Sequence, residues 1–392
     1  MSTERLSRLF RIFGETQCRG RSEVYAALSE SIADDDQLLD LTSTAPPDQR
    51  RPSLLFAAVN LLLSADPAAE LRAYYPIHGG TRAVDARLFR TFAGFCRDHE
   101  PALREVLATR STQTNEIRRC FALRLGLHQV GRHWPGPGHL VEVGASAGLN
   151  LIFDRYAYHL DGTPLPGADD SSVIISTAHR GPGSGALWAD DSLDVRQRVG
   201  LDQQPVDLED PDARDWLEAF IWPERIDDLA TLQDAVSAFR DTEADVRLVR
   251  GDAVTDTAAL ITERPGDEPV LVFTASLLSY LGEDQRVAFL DQLDSAATGR
   301  RVGWIFAEGP ALLARSGLDC AGLSGPLATN GTQYGVGLSL RSPGTRHDQL
   351  LAVAEPYLRW IAPARDTADD FAWVEALSAT SSLTRAATDP AD

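Results

Sequence analysis

Lysine is absent from the 392-residue sequence, so all 37 basic residues are arginine. The 57 acidic residues outnumber them and set the formal net charge at −20. A surface this acidic repels nucleic acid backbones, so we expect no nucleic acid partner. Salt screens self-repulsion, so the charge balance is typical of a salt-rich cytoplasm or of a GC-rich genome. It indicates habitat and not an activity.

Cysteine is also scarce. The four cysteines stand singly, and no two have the spacing of a metal site or of a redox pair: Cys18, Cys96, Cys120 and Cys320. We therefore expect free thiols and no metal.

Long apolar runs are missing as well. The longest, from Leu54 to Leu63, is too short to span a bilayer and contains Asn60. The charged residues between Met1 and Phe13 leave no room for the apolar core of a signal peptide. These two absences predict a soluble, cytoplasmic protein that does not bind membranes.

The residues that are present divide the chain into two types of pattern. Apolar residues make up 43% of the sequence, enough for a packed core. Their spacing is helical up to about Trp134, after which Pro135 to Gly138 punctuate the chain. We predict a helical N-terminal domain over 1–138, a Rossmann-like doubly wound α/β domain over 139–365, and a flexible tail over 366–392.

The segment His139 to Leu151 has the pattern of a strand, a loop of small residues and a helix. This order forms the front of a nucleotide-binding unit. Gly144 and Gly148 let a ligand approach the backbone closely. Glu142, at the strand end, can accept hydrogen bonds from a cationic amino group or from ribose hydroxyls.

The loop pattern Glu-x-Gly-x-Ser-x-Gly matches the first motif of class I methyltransferases, with Ser146 in place of the usual middle glycine. It does not match the dinucleotide pattern Gly-x-Gly-x-x-Gly. We therefore predict an S-adenosylmethionine site here, and include Asn150, which opens the helical segment, among its contacts.

The same loop fits a second chemistry. Gly144-x-Ser146-x-Gly148 is also the nucleophile elbow of α/β-hydrolases, which needs an acid and then a histidine downstream. His347 is the only histidine late in the chain. A serine hydrolase therefore stays open as an alternative, although a long helical region precedes this elbow and Glu142 has no role in it.

Two further acids end predicted strands. Asp202 follows a β-like run and is placed to accept the two ribose hydroxyls. An inserted hairpin over about 156–190 would explain its distance from Gly148. Asp252 and Ala253 end the next strand, where a methyltransferase contacts the adenine amino group.

The apolar strand that starts near Pro269 ends in hydroxyl side chains. Thr274 and Ser276 are therefore candidates for contacting the cofactor's methionine part or the acceptor, or for capping the next helix. No catalytic residue can be assigned; Glu308 and His128 are the candidates for a base.

Four strings together resemble the domain-of-unknown-function family 2332. They are Gln113-Thr-Asn-Glu116, Val141-Glu-Val-Gly-Ala-Ser-Ala-Gly-Leu-Asn-Leu151, Arg198-Val-Gly-Leu-Asp202 and Trp216-Leu-x-Ala-x-Ile-Trp-Pro223. The similarity runs from about Arg8 to Pro363. It implies a helical N-terminal region on a methyltransferase-like core and adds Gln113, Asn115 and Glu116 as candidate cap or substrate contacts, but implies no reaction.

Taken together, the patterns predict a protein that binds S-adenosylmethionine and acts as a methyltransferase on a small molecule. The serine hydrolase and a non-catalytic S-adenosylmethionine-binding module remain as alternatives. The sequence does not reveal the methyl acceptor or the oligomeric state.

Overall fold

The structure, a computed structural model, describes residues 3–181, 194–242, 244–318 and 333–364. The chain divides into two compact units. Unit 1 comprises residues 1–115 and 206–237, and unit 2 comprises residues 116–205 and 238–392.

Unit 1 is built from helices. Its helices are α1 (Thr3–Ile12), α2 (Glu23–Ile32), α3 (Asp36–Thr42), α4 (Pro52–Ala65), α5 (Leu88–Asp98) and α6 (Glu100–Thr109), joined later in the chain by α8 (Pro211–Glu218) and most of α9 (Ile226–Arg240). Local sequence explains their starts. Ser22 caps α2 by accepting the N–H of Tyr25, Asp35 caps α3 in the same way, and Pro52 occupies the first turn of α4.

An aromatic cluster forms the core of unit 1. The ring of Phe56 stacks on Tyr25 with centroids 4.1 Å apart and meets Phe10 edge-on at 6.2 Å. Buried Asn60 donates to the carbonyls of Ala219 and Ile221, at 3.0 and 3.2 Å. Segment 206–237 therefore completes this helical core, although it lies between two strands of unit 2 in the sequence.

The described residues of unit 2 form one mixed sheet of eleven strands. The strands are β1 (Gly138–Val143), β2 (Ala157–Leu160), β3 (Thr163–Leu165), β4 (Ile174–His179), β5 (Val195–Asp202), β6 (Val246–Arg250), β7 (Val270–Ala275), β8 (Val302–Glu308), β9 (Tyr334–Ser342), β10 (Thr345–Ala354) and β11 (Trp360–Pro363). Its helices are α7 (Cys120–His133), α10 (Thr257–Thr262), α11 (Glu283–Ala297) and α12 (Pro310–Ala314).

The strand order is β3-β2-β4-β11-β10-β9-β8-β7-β1-β5-β6. Strands β6, β5, β1, β7 and β8 run parallel, and β9 returns antiparallel beside β8. Strands β5 and β6 lie on one side of β1, and strands β7 and β8 lie on the other. Such a switch point opens a crevice outside the carboxyl ends of the strands, where ligands bind in open α/β sheets.

The structure departs from the sequence-based expectations in the division between the units, and it shows where the expected insertion lies in the sheet. The division between the units falls after Asn115 and not after Gly138, because α7 packs on the sheet of its own unit. The expected insertion forms the hairpin β2–β3 and then β4, which extend the far end of the same sheet. Residues 182–193 of the insertion and the tail beyond 364 lie outside the described residues.

The segment after β1 also differs, since the predicted helix is a 3-10 segment, Leu149–Arg155. Its residues from Leu149 to Phe153 are all buried, and the exposed residues are Asp154 and Arg155 at its end. A short and mostly buried turn therefore replaces the amphipathic helix that the spacing suggests.

None of the helices in the described ranges has both the length and the apolar composition that crossing a membrane requires. Cys18, Cys96 and Cys120 are free and buried. Cys320 lies outside the described residues.

The packing of α7 on the sheet gives a stability prediction. A Cβ added at Gly126 would lie 2.3 Å from Cγ2 of Ile305, a buried side chain of β8. We expect Gly126→Ala to lower the free energy of unfolding by about 1–3 kcal/mol, measured by urea titration. Gly299→Ala in the same unit is the control, because a Cβ there meets nothing within 4 Å. Equal stabilities for the two variants would contradict this packing.

Candidate functional site

The loop after β1 lies at the carboxyl ends of the parallel strands and has an unusual backbone. Three of its residues have positive φ: Gly144 at 81°, Ser146 at 51° and Gly148 at 74°. Glycine adopts this region freely, whereas serine does so at a cost. A Cβ at Gly148 would also lie 2.8 Å from Cδ2 of Leu248. The loop is therefore a tight turn held against the sheet.

A chain of hydrogen bonds orients Glu142, the last-but-one residue of β1. Asn150 donates from Nδ2 to Oε1 of Glu142 at 2.8 Å, and the thiol of Cys120 donates to Oδ1 of Asn150 at 3.2 Å. Glu142 is 3% exposed. Its second oxygen, Oε2, is buried and has no hydrogen-bond partner among the described residues, and the same holds for Oγ of Ser146. Buried polar atoms left unpaired at a strand end indicate a ligand site.

Burial disfavours the charged form of Glu142 and raises its pKa to about 8. The hydrogen bond from Asn150 and the charge of Arg119 oppose this rise, while the negative charge of Asp202 adds to it. At neutral pH the carboxyl of Glu142 is therefore mostly protonated. A cationic ligand group would favour the carboxylate.

Asp202 ends β5, the neighbour of β1, as predicted from its sequence pattern. Its Oδ2 accepts the N–H of Ser146 at 2.8 Å, and its Oδ1 accepts the N–H of Gln204 at 2.9 Å. The carboxylate thus holds the β1 loop in its turn, a role that the sequence pattern does not reveal. Each oxygen keeps a further lone pair for a ligand donor.

Asp252 follows β6, one strand further out. Its Oδ2 accepts from Nε2 of Gln203 at 2.7 Å, and its Oδ1 accepts the N–H of Val254 at 2.7 Å. Gln203 follows Asp202 in the chain, so this bond links the ends of β5 and β6. Ala253 is buried. Glu142, Asp202 and Asp252 therefore lie along one edge of the sheet, at the ends of three adjacent strands.

Thr274, a candidate for contacting a ligand or for capping the next helix, is held by contacts within the sheet layer. It is fully buried, and its Oγ1 accepts from Nε1 of Trp304 at 3.0 Å. Burial raises the pKa of Glu308 to about 7, although its hydrogen bonds with Thr274 and with backbone N–H groups lower it. Those N–H groups belong to Leu277 and Leu278, at 2.9 and 3.1 Å. Glu308 therefore clamps the turn after β7, and this occupies both of its oxygens.

Ser276 lies in that turn and has a φ of 66°, which a serine adopts only under constraint. Its Oγ is hydrogen-bonded to the hydroxyl of Tyr334, the first residue of β9, at 2.5 Å. The carbonyl of the preceding Ala275 accepts a long hydrogen bond, 3.4 Å, from Arg119.

Sequence reasoning missed Arg119 and Tyr334. Arg119 lies three residues after Glu116, so the string Gln113-Thr-Asn-Glu116 was the only signal near it. Tyr334 carried none, because it reaches Ser276 only through the pairing of β8 with β9.

The three candidates of that string fall at the division between the units. Gln113 and Asn115 end unit 1, and Glu116 begins unit 2. Glu116 caps the following 3-10 turn by accepting the N–H of Arg118 at 3.2 Å. It also forms an ion pair with Arg118 at 3.6 Å.

The histidine that the hydrolase alternative requires lies elsewhere. His347 is paired with Leu340, which is paired with Gly303 near the start of β8. Ser146 follows the carboxyl end of β1. Because β1 and β8 run parallel, Ser146 and His347 lie at opposite ends of these strands. His128 is buried within α7.

Comparison with known proteins gives a family. Residues 7–362 match the model of the family described as uncharacterised proteins conserved in bacteria, DUF2332. The chain belongs to this family. No functionally curated protein matches the sequence. The function of this DUF2332 chain therefore has to be argued from its site.

The buried carboxyl of Glu142 predicts a pH dependence of stability. The pKa of Glu142 is about 8 in the folded protein and ~4.3 in an unfolded chain. The folded state thus holds the proton more tightly, and stability is lost as pH rises between these values, by up to about 1.4 kcal/mol per pH unit. We expect the melting temperature of Glu142→Gln to exceed that of the wild type by a margin that widens from pH 5 to pH 8 and then stays constant.

Asp291→Asn, at an exposed position of α11, is the control and should follow the wild type at every pH. A constant difference between Glu142→Gln and the wild type over this range would show that Glu142 does not titrate as a buried group.

Proposed function

We propose that this protein binds S-adenosylmethionine at the carboxyl edge of β1, β5 and β7 and transfers its methyl group to a small molecule. The observation that carries the proposal is the buried carboxyl of Glu142, whose Oε2 lacks a partner beside a loop of left-handed residues. An ammonium group at Oε2 would satisfy this atom and favour the carboxylate.

The charges at this edge favour S-adenosylmethionine over phosphate-bearing nucleotides. Glu142 and Asp202 lie close enough for the charge of Asp202 to raise the pKa of Glu142. A pyrophosphate placed on the loop would be repelled by the carboxylate of Asp202, whereas the ammonium and sulfonium groups of S-adenosylmethionine would be attracted to it and would favour the ionised form of Glu142. The chain also contains no lysine, so it has no P-loop lysine and no Schiff-base nucleophile.

The other two acids fit the rest of the cofactor. Asp202 ends the strand next to β1, and the free lone pairs of its carboxylate suit the vicinal hydroxyls of a ribose. Asp252 follows β6, the strand next to β5, and its carboxylate suits an exocyclic amine such as that of adenine. The switch point between β5 and β7 supports a Rossmann-like, class I methyltransferase-type arrangement.

Methyl transfer from a sulfonium is an in-line displacement, so the protein has to align the two reactants and exclude water. A strong base is not required by every acceptor. The absence of a required base is consistent with the bonding of Glu308, whose two oxygens accept the backbone N–H groups of the turn after β7.

Calorimetric titration with S-adenosylhomocysteine tests the proposal. We expect micromolar binding by the wild type, and a loss of about tenfold or more in Glu142→Gln, since an ammonium would lose its charged partner. Wild-type affinity should increase from pH 6 to pH 8 as Glu142 ionises, by up to about tenfold per unit. Asp291→Asn is the control and should bind as the wild type does.

The titration is run in low and in molar salt, so that the acidic chain is measured under conditions in which it is folded. If the folded wild type binds no S-adenosylhomocysteine in either, the proposal is wrong. Tight binding without methyl transfer to any small acceptor would favour a non-catalytic binding module instead.

One observation favours a second candidate. Ser146 has a positive φ and a hydroxyl without a partner, as the nucleophile of a hydrolase elbow would have. A fluorophosphonate probe would label such a serine, and Ser146→Ala would abolish the labelling. We expect no labelling, because Ser146 and His347 lie at opposite ends of the parallel strands.

A further inference from the structure

Among the described residues, no carboxylate forms an ion pair with the guanidinium of Arg119. It ends the 3-10 turn Ile117–Arg119, and its guanidinium makes one hydrogen bond, from NH1 to the carbonyl of Ala275. Its Nε is buried and has no hydrogen-bond partner. The nearby Glu116 pairs with Arg118 instead.

The charge of Arg119 acts on the groups of the site. Burial raises the pKa values of Glu142, Glu308 and Tyr334, and the positive charge of Arg119 opposes the rise in all three. The hydrogen bond to Ala275 places Arg119 at the carboxyl end of β7, and its charge reaches the groups at the ends of β1 and β8.

Two hydroxyl groups accompany the guanidinium. Ser276 directly follows the residue whose carbonyl Arg119 contacts, and its Oγ lies 2.5 Å from the hydroxyl of Tyr334. One of these hydroxyls donates to the other, and the second proton of the pair is available to an acceptor. The strained φ of Ser276 keeps this pair beside Arg119.

Arg119 is half-buried, and a bound anion would offset the hydration that its guanidinium loses there. We propose that Arg119, together with the Ser276–Tyr334 hydroxyl pair, forms a carboxylate-binding subsite next to Glu142. A planar guanidinium fork matches the two oxygens of a carboxylate. A monoanion fits better than a phosphate here, because Glu142 and Glu308 lie within reach of the same charge.

Two sources could supply the carboxylate. The first is the amino-acid end of the nucleotide itself: an anion at Arg119 and an ammonium at Glu142 would together hold an α-amino-acid zwitterion. The second is a separate carboxylate-bearing acceptor. The identity of the nucleotide rests on the proposed function, but the carboxylate site does not.

The test compares Arg119→Met with Arg118→Met, which removes the neighbouring guanidinium that pairs with Glu116. Both are titrated with S-adenosylhomocysteine and with 5′-methylthioadenosine, a nucleoside thioether that lacks the amino-acid end. If the nucleotide supplies the carboxylate, Arg119→Met should lose roughly 30-fold in affinity for S-adenosylhomocysteine and less than about twofold for methylthioadenosine. Arg118→Met should lose neither.

A second arm tests a separate acceptor. Saturation-transfer NMR measures benzoate binding to the protein with and without S-adenosylhomocysteine. An Arg119-dependent benzoate signal that persists with the nucleotide bound assigns the subsite to the acceptor. Should Arg119→Met fail to fold, Arg119→Lys retains the charge without the fork and should weaken the same ligand to a smaller extent.

The outcomes separate this inference from the proposed function. If the wild type binds neither nucleoside yet binds benzoate through Arg119, the cofactor proposal is wrong and the carboxylate subsite stands. If neither S-adenosylhomocysteine nor benzoate responds to the loss of Arg119, the subsite is wrong, whatever nucleotide the protein binds.

Discussion

The burial of one carboxyl group at the end of the central strand constrains the arrangement around it. Glu142 occupies a place where burial raises its pKa to about 8, so the protein has to supply a hydrogen bond that holds it. Asn150 supplies that bond, and to reach Glu142 it lies on an inward-facing 3-10 turn and not on a solvent-facing helix. The loop between Glu142 and Asn150 therefore has to turn sharply, and three of its residues, Gly144, Ser146 and Gly148, have positive φ angles.

The same edge of the sheet shows how carboxylates are divided between structure and ligand. Glu308 and Asp202 each use both oxygens to fix backbone N–H groups, and so shape the turns after β7 and β1. Glu142 uses only one. Among the residues that the structure describes, neither the carboxyl of Glu142 nor the guanidinium of Arg119 takes part in an ion pair. Both groups are expensive to bury alone, which is why a ligand with complementary charges explains them together.

Local signals predicted where several residues of this candidate site lie in the fold. Glu142, Gly144 and Gly148 belong to one continuous string, and the pattern of an apolar strand followed by small residues indicates its turn. Asp202 and Asp252 could be predicted because each ends a strand, and parallel strands bring their carboxyl ends to one edge. Thr274 became a candidate by the same rule, whereas its side chain contacts Trp304 within the sheet layer. A strand pattern gives the end of a strand but not which face of the sheet a side chain contacts.

By itself, the sequence determined the alternation of strands and helices after His139, the tight β1 loop and the family, because each depends on neighbouring residues or on strings of them. Only the tertiary structure decided that segment 206–237 joins the helical core, that β2 to β4 extend the far end of the sheet, and that Arg119 and Tyr334 flank Ser276. These contacts join residues far apart in the chain. They follow from strand pairing and from the burial of apolar faces, which no local pattern encodes.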